Sequence, residues 1–363
     1  MNTKQNNLIP QLRFPEFQGE WKIKKIENIL SIGSGKDYKH LKDGEIPVYG
    51  TGGYMTSVNE FLYDGESVCI GRKGTIDNPI FLNEKFWTVD TLFYTHSFKQ
   101  VLPRFVYSLF QNINWYKHNE ASGVPSLSKK TIEKININLP TLPEQKKIAS
   151  FLTDVDDKIT KLTKKKDLLE QYKKGIMQKI FSLELRFKDD NGNEFPKWEK
   201  TVLGKISNIT TGSSNRQDSG LNGEFTFFDR SEDIRTSSRY LFEGEAVIVA
   251  GEGSDFVPKY YVGKFDLHQR TYAIMEFKES ISKFIYFYIH FHRRYFLSQA
   301  VGSTVKSLRL PMFQKMPIKL PVKEEQTKIA NFLSDIDIKI EALNTQIENS
   351  KAFKKGLLQQ MFV

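Results

Sequence analysis

Two pairs of carboxylates, Asp64 with Glu66 and Glu243 with Glu245, stand in matching "DGE" and "EGE" triplets. Paired acids can hold a divalent metal for phosphodiester hydrolysis. Both triplets run into apolar stretches, "SVCI" and "AVIV", where acid-Gly-acid reads as a turn entering a strand. The lone cysteine, Cys69, lies in the first of those stretches and reads as a buried structural thiol; one thiol makes neither an internal disulfide nor a Cys/His metal cluster. The six His residues share no spacing. No G-x-x-x-x-G-K-S/T loop occurs, and the glycines of "GTGGY" and "GEGS" lack the flanking strand, helix and spacing of a dinucleotide loop. None of the 13 prolines adjoins another, so the Asn/Asp-Pro-Pro-Tyr stretch of an amine methyltransferase is missing, "DNPI" from Asp77 being the nearest. No catalytic or metal-binding residues are assigned, and the chain itself is not expected to be an enzyme.

The chain has 363 residues, enough for two or three domains, and 39% of them are hydrophobic, as in folded proteins. Basic residues outnumber acidic ones 53 to 43. That surplus suits a polyanionic partner without requiring one. Apolar runs fall short of a membrane span and the first residues lack a secretory apolar core, so a cytoplasmic location is expected.

A repeat organises the sequence. Residues 139–181 and 320–362, aligned without a gap at an offset of 181, agree at 19 of 43 positions, from "LPTLPEQKKIASFL" and "LPVKEEQTKIANFL" to the endings "KKGIMQKIF" and "KKGLLQQMF". Flanking stretches echo each other too: "LRFPEFQGEW" and "LRFKDDNGNEFPKW", then "FLYDGESVCIGRKGT" and "YLFEGEAVIVAGEGS". The chain is a tandem duplication of a variable domain and a better-matched segment.

The matched segment is helical by periodicity. Ile148, Leu152, Val155, Ile159, Leu162 and Leu169 alternate spacings of four and three, as do Ile329, Leu333, Ile336, Ile340, Leu343, Ile347, Leu357 and Met361. This is a coiled-coil seam, and Glu144 to Phe181 would make a rod of about 57 Å. Thr141-Leu142-Pro143-Glu144 has capping-box spacing; the second copy relies on Glu324 and Glu325. Gly175 and Gly356 each cost about 1 kcal/mol in a helix, so a bend or a stop at either is the alternative to that unbroken rod. Lys166 and Lys173 fall on the seam, where they must be solvated, snorkel, or pair with acids of the second copy. Phe151, Phe181, Phe332, Phe353 and Phe362 exceed what one seam needs, so further helices, from this chain or another, are expected to cover them.

The variable domains read as mixed α/β. Strand-like runs "EIPVYG", "ESVCIG" and "TLFYTHSF", and in the second domain "EFTFFD", "EAVIVA" and "YAIMEF", are followed by aromatic helical stretches, "PRFVYSLFQNINWY" and "SKFIYFYIHFHRRYF". The loops differ between copies: "GSGKDYKH" against "GSSNRQDSGLNGE", "GTGGYMTSVNE" against "DRSEDIRTSSR", and "GRKGTIDNP" against "AGEGSDFVPK". A shared scaffold with unlike loops suits two readers of different targets.

The tandem of unlike domains, each ending in "LPxxxEQxKIAxFLxDxDxKI" and "KKGxxQxxF", resembles the specificity subunits of type I restriction-modification systems. The resemblance spans essentially the whole chain. It implies an α/β (α+β) fold with two pseudo-symmetric target-recognition domains, 1–142 and 182–323, separated by a long antiparallel coiled-coil pair, 143–181 and 324–363. It implies that each domain reads one half of a bipartite DNA target, the helices setting the spacer. The implied partners are double-stranded DNA, two adenine methyltransferase subunits and, in the full complex, restriction subunits. S-adenosylmethionine would belong to the methyltransferase, and this chain would carry no cofactor. The outward phenylalanines named above become candidate docking residues. Loop residues able to donate to guanine edges or phosphates are Lys36, Lys39, Arg72 and Lys73, then Arg216, Gln217, Arg230, Arg235, Arg239 and Lys259. Tyr38, Tyr49 and Tyr54 are placed to pack on sugars or bases. A two-domain coiled-coil adaptor that reads no DNA is the alternative, and a stand-alone nuclease would need magnesium alone.

Overall fold

The computed structural model describes residues 8–231 and 235–363. The chain forms two compact units: Met1–Lys164 with Asn344–Val363, and Lys165–Leu343. Neither is a contiguous recognition domain alone, because each also takes part of both long helices, Leu142–Phe181 and Lys323–Met361.

The first unit centres on a six-stranded sheet in the order Ser31–Ser34, Leu92–His96, Tyr63–Gly71, Ile80–Thr88, Asp43–Gly50, Gly53–Val58. All neighbours are antiparallel except Asp43–Gly50 and Ile80–Thr88. The aromatic stretch forms the helix Pro103–Asn112, with Phe105, Val106, Leu109 and Phe110 buried. A two-stranded ribbon, Lys22–Lys25 with Asn136–Leu139, leads into the first long helix. Ile148, Ala149 and Leu152 of that helix share one core with Trp21, Phe105 and the final turns of the second, Leu357, Met361 and Phe362. Glu144 and Phe362 both meet Trp21, while Asp156, three turns further along the first helix, pairs with Lys354, about two turns before the end of the second. Within this unit the two segments are therefore antiparallel.

The second unit repeats this plan strand for strand. Its sheet runs Asn208–Thr211, Thr271–Met275, Phe242–Ala250, Lys259–Leu267, Phe225–Phe228, Arg235–Ser237, again with one parallel pair, Phe225–Phe228 beside Lys259–Leu267. The ribbon is Glu199–Val202 with Pro317–Leu320, and the aromatic helix is Ser282–His292. Met177, Ile180 and Phe181 end the first long helix in a core shared with Phe284, Phe287, Ile329 and Leu333. Lys173 pairs with Asp337, the seam lysine meeting an acid of the second copy. Lys166 lies 3.9 Å from Glu170 of its own helix.

The "EQ" of the matched segments docks each domain on its helix. Arg13 holds Glu144 through Nε at 2.7 Å and Nη2 at 2.8 Å, and the Trp21 indole N–H adds a third bond at 3.2 Å. Gln145 donates through Nε2 to the Pro140 carbonyl and accepts the Leu102 N–H on Oε1. Arg186, Trp198, Glu325 and Gln326 repeat these contacts, with Pro321 and Ile281 as the backbone partners. Glu144 and Glu325 are thus buried anchors, and the expected capping-box role for Glu144 gives way to a charge-assisted bond with a guanidinium.

Several expectations change. Both long helices run unbroken through Gly175 and Gly356, because the turns beyond those glycines bury Met177, Ile180, Leu357 and Met361. The "DGE" and "EGE" triplets are not turns before a strand. They lie inside the strands Tyr63–Gly71 and Phe242–Ala250, with Gly65 and Gly244 at φ of 127° and 126°, which only glycine adopts easily. "GTGGYMTSVNE" and "DRSEDIRTSSR", read as loops, contain the strands Gly53–Val58 and Arg235–Ser237; short polar alternation hid them. Residues 232–234 of the latter lie outside the described residues. Cys69 is fully buried and its thiol is pushed up to about 12 by that burial.

Candidate nucleic-acid interface

The first charged loop leaves the sheet at Gly35, where an added Cβ would fall 1.9 Å from the Val89 carbonyl oxygen. Gly212 starts its counterpart under the same constraint, 1.6 Å from the Leu267 carbonyl oxygen. Only glycine permits these backbone crossings, which fix where both loops emerge.

In the first domain, Lys36 and Lys39 expose their side chains while the loop is pinned by the Lys36 N–H to the Thr88 carbonyl and the Trp87 indole N–H to the Lys36 carbonyl. Tyr38 packs half-buried against a small cluster holding Val48, Val58 and Trp87. Tyr49 is engaged too: its hydroxyl donates to Glu84 at 2.7 Å, and burial together with that carboxylate raises it to about 12. Tyr54 stands free of the core, its ring edge-on to Tyr49 at 6.3 Å. Arg72 and Lys73 line a cleft of 860 Å³ with Asp90, Glu120, Ser126 and Lys129. The Arg72 guanidinium donates to the Asp90 carbonyl oxygen and lies 6.0 Å from the Phe93 ring centre. The cleft thus holds three basic side chains, Arg72, Lys73 and Lys129, with two acids, Asp90 and Glu120.

The second domain builds its face differently, from arginines on carboxylates, two of them buried and the third, Glu252, partly buried. Arg216 lies 3.8 Å from Asp229, Arg239 lies 3.9 Å from Asp266, and Arg230 lies 3.5 Å from Glu252. Asp266 is fully enclosed, accepting the Ser214 hydroxyl at 2.6 Å and the Ser237 hydroxyl at 2.8 Å. The Ser214 Oγ in turn accepts the Arg239 guanidinium at 2.9 Å. Burial opposes the charge on Asp229, but the Ser231 hydroxyl and N–H, with Arg216 nearby, hold its carboxyl below the usual range. Gln217 is exposed beside Arg216. Lys259 is spent internally, donating to the Ser231 carbonyl, and Arg235 is half-buried with its Nε enclosed. Sequence reading missed Arg270, which binds Glu252 from the turn after Lys259–Leu267, and His268, whose Nδ1 accepts the Arg270 N–H. His268 is lowered chiefly by burial. No spacing rule singles out either; only the sheet brings them beside Arg230.

The five phenylalanines divide. Phe181 and Phe362 are buried inside their own units, edge-on to Trp198 and Trp21, so they offer no outward surface. Phe151 packs on Phe14 and Phe332 on Phe187, each half-buried. The segment ahead of the ribbon in each unit covers these helix faces. Phe353 is 57% exposed, and the repeat-related Tyr172, which sequence reading passed over, is 50% exposed. Among the described residues no His, Cys, Asp and Glu cluster could hold a metal, and no helix is long and apolar enough to cross a membrane.

Comparison with known proteins agrees with this architecture. The family model "Type I restriction modification DNA specificity domain" matches twice, over residues 18–171 and 187–350. The type I restriction enzyme MjaVIII specificity subunit of Methanocaldococcus jannaschii is 24% identical over 96% of this chain and 92% of its own length. The EcoDI specificity subunit of Escherichia coli is 30% identical over 43% of this chain and 33% of its own. The crystal structure of the S subunit from M. genitalium superposes with a TM-score of 0.71 at 14% identity, covering 98% of this chain and 99% of that one, and so shares the fold. With two matches that together take in most of its length, this chain belongs to the type I restriction-modification DNA specificity family.

Proposed function

We propose that this chain is the DNA-reading, non-catalytic subunit of a type I restriction-modification complex, each recognition domain reading one half of a split target and the long helices setting the spacer. One observation carries the reading: the same sheet, strand for strand, supports unlike charged loops in the two units, a lysine-lined cleft in one and carboxylate-held arginines in the other. A common scaffold with different donors is what two readers of different sequences require. Lys36, Lys39, Arg72, Lys73 and Tyr54 are the proposed contacts in one half; Arg216, Gln217, Arg230 and Arg239 are those in the other. The partners are DNA, two methyltransferase subunits bound through exposed helix residues such as Phe353 and Tyr172, and restriction subunits in the full assembly. S-adenosylmethionine belongs to the methyltransferase, and the place of action is the cytoplasm.

Mapping methylated adenines genome-wide, in cells with and without this chain, tests the reading. A split motif that vanishes with the chain supports it. An unchanged map, with no sequence preference in DNA binding by the partner complex at any salt, overturns it in favour of an adaptor.

A further inference from the structure

Glu252 and Lys73 occupy the same place in the two copies. Lys73 bridges Ser126 across an antiparallel pair, and Glu252 bridges Ser307, 181 residues on from Ser126. At one scaffold position the charge therefore reverses. In the second unit the carboxylate is 14% exposed and takes two guanidiniums: Arg270 on Oε1 and Arg230 on Oε2. Those arginine side chains remain 63% and 59% exposed.

We propose that Glu252 is a positioning residue for DNA readout: it holds Arg230 and Arg270 so that their outward N–H groups meet guanine edges in one half of the target. This rests on the reading that the domain contacts DNA. Phosphates are attracted by net charge, and pairing two cations with a carboxylate cancels part of it. Attraction by net charge alone gains nothing from that pairing. Guanine O6 and N7 instead demand a planar fork at a set angle, which a mostly enclosed carboxylate enforces while lowering the entropy lost when the contact forms. Asp90 and Glu120 line the Lys73 cleft, but among the described residues no ion pair ties either to Lys73, so the first domain offers a point charge there and not a held fork.

The test uses the full chain assembled with its methyltransferase partner and duplexes carrying the mapped target, each with one base pair replaced, beside a duplex of unrelated sequence. Arg270→Lys keeps the charge and loses the fork. Glu252→Gln keeps the shape and removes the negative charge, so a purely electrostatic role predicts tighter binding to every duplex. The inference expects both variants to lose about tenfold or more discrimination at one or two G·C pairs of a single half. Affinity for the unrelated duplex should hold for R270K and hold or rise for E252Q, with thermal melting near the parent's. Equal weakening on all duplexes would make these phosphate contacts and overturn the inference; so would unchanged discrimination in a complex whose parent reads its target. A parent complex that prefers no duplex would sink the proposed function itself, and this inference with it.

Discussion

Arg13 and Glu144, 131 residues apart, form a two-pronged ion pair whose carboxylate is almost wholly enclosed. Its presence raises the Arg13 guanidinium, through the hydrogen bond to Glu144 first, with burial opposing. The pair ties the segment before the domain to the first turn of the long helix. Arg13→Ala would leave a buried carboxylate with only the Trp21 indole N–H, and is expected to cost about 3 kcal/mol in urea unfolding. Arg13→Lys should cost less, since one ammonium replaces one prong of the fork. An R13A chain as stable as the parent would show that the clasp does not hold the domain.

Gly175 and Gly356 sit inside continuous helices, and nothing lies within 4 Å of a Cβ added to either. Alanine at each should stabilise by about 0.5–1 kcal/mol by restricting the unfolded chain and favouring the helix. Thermal melting of G175A and G356A checks this. A fall in Tm would mean that the helix needs a glycine for reasons of backbone geometry.

Much of this architecture was legible in the sequence because duplication prints the same pattern twice. The seam residues Ile148, Leu152, Ile329 and Leu333 are buried where periodicity puts them, and each of the six strand-like runs overlaps a strand. What escaped was anything set by long-range pairing. Glu144 has capping-box spacing, yet its partner Arg13 lies beyond the reach of local pattern. Phe181 and Phe362 look like outward seam extras until the domain cores close over them. Arg270 sits in a turn with no motif, and its meaning comes from Glu252 on another strand. Periodicity reports one face of one element; a reading surface is assembled from several.

His292 packs 4.3 Å from Tyr288 and is held down to about 4, by burial first and by Lys319 second. The unfolded chain takes up a proton near pH 6.5, before the folded one does. Its contribution is therefore intact above about pH 6.5 and is lost as pH falls toward 4, by at most about 1.4 kcal/mol for each pH unit crossed. His290, lowered mainly by burial, adds to the same trend. Urea midpoints between pH 4 and 7 should fall more steeply for the parent than for His292→Asn. Parallel curves would show that His292 titrates normally.

Exchange of one reading surface should leave the other half of the target untouched. The cut points follow from the ribbon Lys22–Lys25 with Asn136–Leu139 and from the clasp residues outside it. Replacing residues 26–135 with the matching stretch of another family member retains Arg13, Trp21, Glu144 and Gln145. Phe105 should be kept aromatic, since it packs 5.4 Å from Phe362. Among the described residues, the Gln145 side chain hydrogen-bonds the exchanged part through the carbonyl of Gln100 and the N–H of Leu102, which any residue but proline at 102 supplies. The chimera should therefore fold like its parent and carry a methylation motif new in one half and old in the other. Each mismatched base pair in the replaced half should cost about 1–3 kcal/mol on the parent's target. A motif altered in both halves would mean that the domains do not read independently, and that the duplication serves assembly instead of recognition.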